Sequence, residues 1–245
     1  MDETQLAILG VTAFVTAMLS AVVGMAGGIT LLGVMLLFMD PLEAIPLHGA
    51  IQLASNGSRT WIQREHVRWD ILVRYAAPLI PMGLIGLAIA QRLEPQGLKA
   101  VIGVFVLLAT WSPRLLLLGQ HPDRLDPQRR FLALGALAGV LNVTIGATGP
   151  LIAPFFLGLG LSRFALVGTK AACQTLGHLV KIALFGAVGF AFAAFVPLLA
   201  LLIPLVVVGT WVGSRLLRGV DERTFVWLYR GVLTLIALRL VVSAL

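Results

Sequence analysis

His48-Gly49-Ala50-Ile51-Gln52-Leu53-Ala54-Ser55-Asn56-Gly57-Ser58-Arg59 carries polar residues at steps of four, four and three within an apolar run. His48, Gln52, Asn56 and Arg59 therefore share one face of an α-helix. Adding 122 to each number gives Lys170, Gln174, His178 and Lys181, a second polar face with the same steps. Polar groups are costly in hydrocarbon, so a face kept twice, in register, points to a pathway through a bilayer.

The composition agrees with that setting. The chain is 59% hydrophobic and 12% charged, with a mean hydropathy of +0.98, outside the range of soluble globular domains. It reads as an all-α polytopic membrane protein. Met1, Asp2 and Glu3 precede an apolar run from Leu6 to Met39 without the basic start or cleavage motif of a secretory signal, so this run is expected to stay as the first membrane segment. One cysteine, Cys173, leaves no internal disulfide and no cysteine-rich metal site. The net charge of +7 comes from basic residues spread over loops, which fits orientation in a membrane better than nucleic-acid binding.

Apolar runs between charged loops predict about ten helical segments: 6–23, 29–39, 44–61, 71–90, 98–118, 131–145, 151–161, 164–189, 190–217 and 225–245. They form two sets of five around the polar linker Gly119–Arg130, giving an N-terminal repeat over 1–120 and a C-terminal repeat over 121–245 within one integral membrane domain. The halves align without a gap from Gly24–Arg59 to Gly146–Lys181. Pro78 and Gly83 match Pro204 and Gly209 after a slip of four residues.

Loop charge predicts which way the copies run. Arg59, Arg64, Arg68 and Arg74, and the linker's Arg114, Arg124, Arg129 and Arg130, read as cytoplasmic. The acidic N-terminus and Asp40–Glu43 read as outside. Five segments per copy make the second copy enter in the opposite orientation, with Arg163, Arg215, Arg218 and Arg223 inside and the uncharged turn near Val188–Phe190 outside. Both termini are then expected on the periplasmic side. An odd number of crossings per copy makes this an inverted-topology repeat, as in many secondary transporters.

The segments 29–39 and 151–161 are about eleven residues long, roughly half of a 30 Å hydrocarbon core. Each follows a glycine-rich break: Gly24, Met25, Ala26, Gly27, Gly28 in the first copy and Gly146, Ala147, Thr148, Gly149, Pro150 in the second. Bare backbone at membrane depth survives only where protein or a water-filled cavity covers it. Two half-helices would thus turn their N-terminal dipoles toward the middle and favour an anion. Gly33, Gly86, Gly103, Gly135, Gly139 and Gly213 read instead as close-packing positions between helices.

The paired breaks, the short helix after each and the run His48–Arg59 resemble the sulfite exporter (TauE/SafE) family over nearly the whole chain. That resemblance implies a bacterial inner-membrane permease for sulfite, sulfonates and related organosulfur anions. The first break reads Gly-Met-Ala-Gly-Gly and the second Gly-Ala-Thr-Gly-Pro, where Gly-x-Gly-Gly-Gly is commoner in the family. Leu32 also stands where the second copy has Pro154.

The expected substrate site consists of His48, Gln52, Asn56, Lys170, Gln174 and His178, with Gly27, Gly28, Thr148 and Gly149 at the two breaks. Lys170 should favour a bound anion, and the amides of Gln52 and Gln174 can each donate two hydrogen bonds without carrying charge. Arg59 reads as a cytoplasmic anchor and Lys181 as a mark of the external mouth, the two ends of the pathway. Ser20 and Ser55 can add hydroxyls. All eleven acidic residues fall in loops or at helix ends, which argues against a proton pump or cation carrier. Trp61, Trp69, Trp111 and Trp227 suit an interfacial belt.

The expected function is a secondary transporter exporting a small sulfur-containing anion by alternating access, and the nearest rival is an anion channel. The lipid bilayer and the anion are the expected partners, with self-association left open and no nucleic acid. No cofactor and no metal are expected. No H-E-x-x-H, G-x-S-x-G or Walker lysine loop occurs, so an enzyme is the weaker reading.

Overall fold

The computed structural model describes residues 1–23, 27–112, 115, 126–156, 159–216 and 222–243, and among these the backbone is helical with no strand. Gly24, Met25 and Ala26 of the first break, Arg114, linker residues 116–125 with His121, Pro122, Asp123 and Arg124, and Arg218 lie outside the described residues.

Helix α1, Glu3–Val23, opens with a reciprocal cap. Gln5 N–H donates to Asp2 Oδ1 at 2.7 Å and Asp2 N–H to Gln5 Oε1 at 3.2 Å, satisfying donors that the helix start leaves unpaired. Helix α2, Gly27–Met35, is too short to span, and α3, Pro41–Ile62, follows with Pro41 in its first turn, where the missing N–H costs nothing. Then come α4 (Trp69–Ala76), α5 (Leu79–Arg92) and α6 (Pro95–Trp111). The second half holds α7 (Pro127–Thr144), α8 (Gly149–Ile152) running into a 3-10 turn at Ala153–Phe156, α9 (Arg163–Ala187), α10 (Val196–Leu216) and α11 (Glu222–Val242).

Several expected boundaries move. Gly27 and Gly28 belong to the helix after the break, not to the break itself. The segment expected at 151–161 contracts to one α-turn and one 3-10 turn. The segment expected at 71–90 is two helices bent by 44° at Ala77–Pro78, where proline withholds the N–H that would continue the ladder. Pro127–Arg130, expected in the linker, form the first turn of α7, because Asp126 Oδ2 accepts from Arg129 N–H at 3.3 Å and caps the start.

Among the described residues, Glu3–Ala21 and Phe192–Gly213 are long and apolar enough to cross a membrane, and the bent pair α4–α5 is so only when its two helices are taken together. Helices α3 and α9 have 22 and 25 residues, ample length at about 1.5 Å per residue, but carry the polar faces. Exposed Val11, Val73, Leu235 and Val242 put aliphatic surface on the outside, as lipid contact requires.

The most extensive packing joins the two halves. α1 lies on α10, α5 on α7, α3 on α9 and α6 on α11. A Cβ on Gly86 would run into the Val140 carbonyl, and one on Gly213 into the Met18 carbonyl. Met18 and Val140 are themselves 122 apart, so α10 and α5 each press a glycine against a carbonyl at matching places of α1 and α7.

Candidate functional site

The start of α2 and the turn before α8 meet at a small cavity. Gly28 and Ile29 at the start of α2 line one side, and Ala147, Thr148 and Gly149 before and at the start of α8 line another. Between them stand His48, Gln52, Asn56 and Arg59 of α3, Gln174 and His178 of α9, and Ser20 of α1. The free space is about 20 Å³, room for one or two water molecules in this state.

On α3 the predicted face is intact and buried. His48 is 1% exposed, and its Nε2 lies 2.8 Å from the carbonyl of Gly28. That oxygen can only accept, so Nε2 carries the hydrogen and the opposite nitrogen, Nδ1, is left without a partner. One turn on, the Gln52 amide rests against Gly28, where a Cβ would come within 3.3 Å of it. Asn56 Nδ2 leans toward Gln52 Oε1 at 3.5 Å while its own Oδ1 is unpaired.

Arg59 is not at an exposed helix end. The residue is 9% exposed and lines the cavity, with Nη1 donating to the Ser20 carbonyl, Nη2 to Ser55 Oγ and Nε to the Ser55 carbonyl, all at 3.3 to 3.4 Å. These contacts fix a cation beside the last turn of α1, the negative end of that helix dipole. They replace the cytoplasmic anchor that its nearness to a basic loop suggested.

On α9 the face divides. Gln174 and His178 reach the cavity, and the His178 ring meets that of His48 edge-on at 5.9 Å between centroids. Lys181 is fully buried and turns away from any mouth, donating to the Gly146 carbonyl at 2.9 Å and toward Asn142 Oδ1 at 3.4 Å. Gly146 has φ of +86°, the left-handed conformation that ends α7. Lys181 therefore places its charge at the α7 C-terminus as Arg59 does at that of α1. The parallel is positional, since Ser20 and Asn142 are again 122 apart. Lys170 is buried, with 8% exposure, but is not part of the cavity wall.

Of the expected site residues, His48, Gln52, Asn56, Gln174, His178, Gly28, Thr148 and Gly149 come together, and Arg59 joins them. Lys170, Lys181 and Gly27 do not line the space; Gly27 spends its N–H on Ser20 Oγ at 2.8 Å. Sequence reading passed over Asn142, although its offset from Ser20 was visible, and it gave no role to Ile29. No carboxylate lines the cavity, and among the described residues no group of three His, Cys, Asp or Glu gathers as metal ligands. The wall thus offers one fixed cation, amides, imidazoles and the N-terminal end of α2, a set suited to a small anion.

A model of the sulfite exporter TauE/SafE family matches residues 9–240. No curated protein and no solved structure matches the chain. Nearly the whole length lies inside the family match, from α1 to α11, including both breaks and both polar faces. The chain belongs to the TauE/SafE family of membrane transporters for sulfite-type anions.

Proposed function

We propose that this protein is a secondary transporter that moves sulfite or a small organosulfonate out across the bacterial cytoplasmic membrane by alternating access. The observation that carries the reading is the cavity between the start of α2 and the turn before α8, where Arg59, Gln52, Gln174, His48 and His178 surround a small polar space with no carboxylate in the wall. Arg59 holds the charge, the two glutamines donate to oxygens, and the first N–H groups of α2 add their dipole. Lys170, outside the wall, contributes field more than contact.

Residues 1–120 and 121–245 act as two copies of one fold in opposite orientation, with both termini periplasmic. The exchanged packing of α1 on α10 and α5 on α7, and the paired contacts of Gly86 and Gly213, support a pseudo-two-fold axis through the cavity. Rocking of one set of helices against the other would then open the site to each side in turn.

Purified protein in liposomes tests the reading. Saturable sulfite flux with counterflow, driven by unlabelled sulfite on the far side, is the expected outcome. Flux that rises linearly without saturation and shows no counterflow would identify a channel and overturn the carrier.

A further inference from the structure

The cavity has one feature that an anion alone does not satisfy. His48 lines it, and its Nε2–H is spent on the Gly28 carbonyl, so in the neutral ring Nδ1 presents a lone pair. That nitrogen is buried with no partner in the protein, as are Nδ1 of His178 and Oδ1 of Asn56, both residues of the same wall. A deprotonated oxyanion brings only lone pairs. Placed against this wall it would find donors in Arg59 and the glutamines but would meet the His48 nitrogen lone pair to lone pair, and an unmade buried hydrogen bond costs about 1 to 3 kcal/mol.

We infer that the site binds its anion together with one proton, held between an anion oxygen and Nδ1 of His48, so that each anion carried takes a proton with it. This rests on the proposed function and deepens it by naming the bound species. The proton comes from water or rides on the anion itself; on binding it lies in the O–H···N or O···H–N bond, and on release it leaves with the anion. His48 faces the His178 ring and the Lys181 charge from α9 and the backbone of Gly28 and Gly146, while Arg59 of its own helix acts on His178 beside it. From α2 and the turn before α8, only backbone and the Thr148 hydroxyl line the cavity beside Ile29 and Ala147. Two cations this near, with the second imidazole 5.9 Å away, argue for one added proton and not two.

Isothermal titration of the purified protein with sodium methanesulfonate, which carries no proton of its own, repeated in two buffers of different ionisation enthalpy at mildly alkaline pH, reads proton uptake directly. About one proton taken up per anion bound is expected, and its loss in His48→Gln, whose amide can still donate to Gly28. Sodium sulfite in the same pair of buffers should give the same stoichiometry. Binding with no proton uptake by the wild-type protein would overturn this inference and leave the anion site standing. Uptake that persists in His48→Gln would overturn the assignment to that ring. Failure of both salts to bind would overturn the proposed function along with it.

Discussion

In the first half of the chain α3 turns His48, Gln52, Asn56 and Arg59 into the cavity, whereas in the second half α9 turns in Gln174 and His178 and sends Lys181 to the carbonyl of Gly146. The two sets hold equivalent places in sequence. What separates them begins at Gly49. The Lys181 stem crosses α3 there so closely that a Cβ would sit 2.7 Å from its Cε, while the equivalent position in the second half is Ala171, which accommodates its methyl at 2% exposure. Two polar faces of the same spacing thus build an unsymmetrical site, with the cation facing the cavity drawn from α3.

The comparison is broken most easily at its charges. Arg59→Gln is expected to weaken sulfite binding about tenfold or more, since a hydrogen bond to a charged group is worth about 1.5 to 3 kcal/mol. Lys170→Gln, which removes a charge outside the wall, should cost less than about threefold, because such a charge acts only through the field. Titration of both purified variants checks this, and equal losses would erase the distinction between wall and surroundings.

Lys181→Met is the next test, and its main effect should be on stability. Gly146 O and Asn142 lose their partner, and a loss of about 2 kcal/mol in a chain of this size lowers the melting temperature by roughly 4 to 8 °C. Thermal unfolding in detergent measures it. A drop in sulfite affinity as large as that of Arg59→Gln, with unchanged melting, would put Lys181 in the cavity after all.

The crossing itself supplies the last test. Gly49→Ala should cost about 1 to 3 kcal/mol by overpacking against the Lys181 stem, and most of that cost should vanish when Lys181 is also replaced by alanine. Melting curves of the two single variants and the double variant give the coupling. Strict additivity would mean that the stem does not set the identity of residue 49.

Much of this was legible before any coordinates. The α3 and α9 faces follow from steps of four and three, and the glycine-rich breaks locate the meeting point of the cavity, because helical periodicity and the cost of bare backbone in lipid are local rules. Arg59 was misplaced for an equally physical reason. Nearness to a basic loop suggested snorkelling to an interface, but the last turn of α1 offered carbonyls within reach. Lys170 and Lys181 show the converse, since membership of a helical face does not say which long side chain reaches which neighbour.

The proline pair marks the same boundary. Pro78 and Pro204 occupy matching places, yet Pro78 lies at the 44° bend between α4 and α5 while Pro204 stays inside an unbroken α10. Sequence by itself determined that this chain is helical and membrane-bound, where its helices carry polar faces, and that two breaks interrupt them, since each depends on residues a few positions apart. Tertiary structure alone decided that the faces converge, which cation enters the cavity and which caps a helix, and which nitrogen is left without a partner. Those outcomes depend on hydrogen bonds between residues 20 to 39 positions apart and on crossings of α3 with α9 between residues more than a hundred apart, and no local spacing encodes how two helices cross.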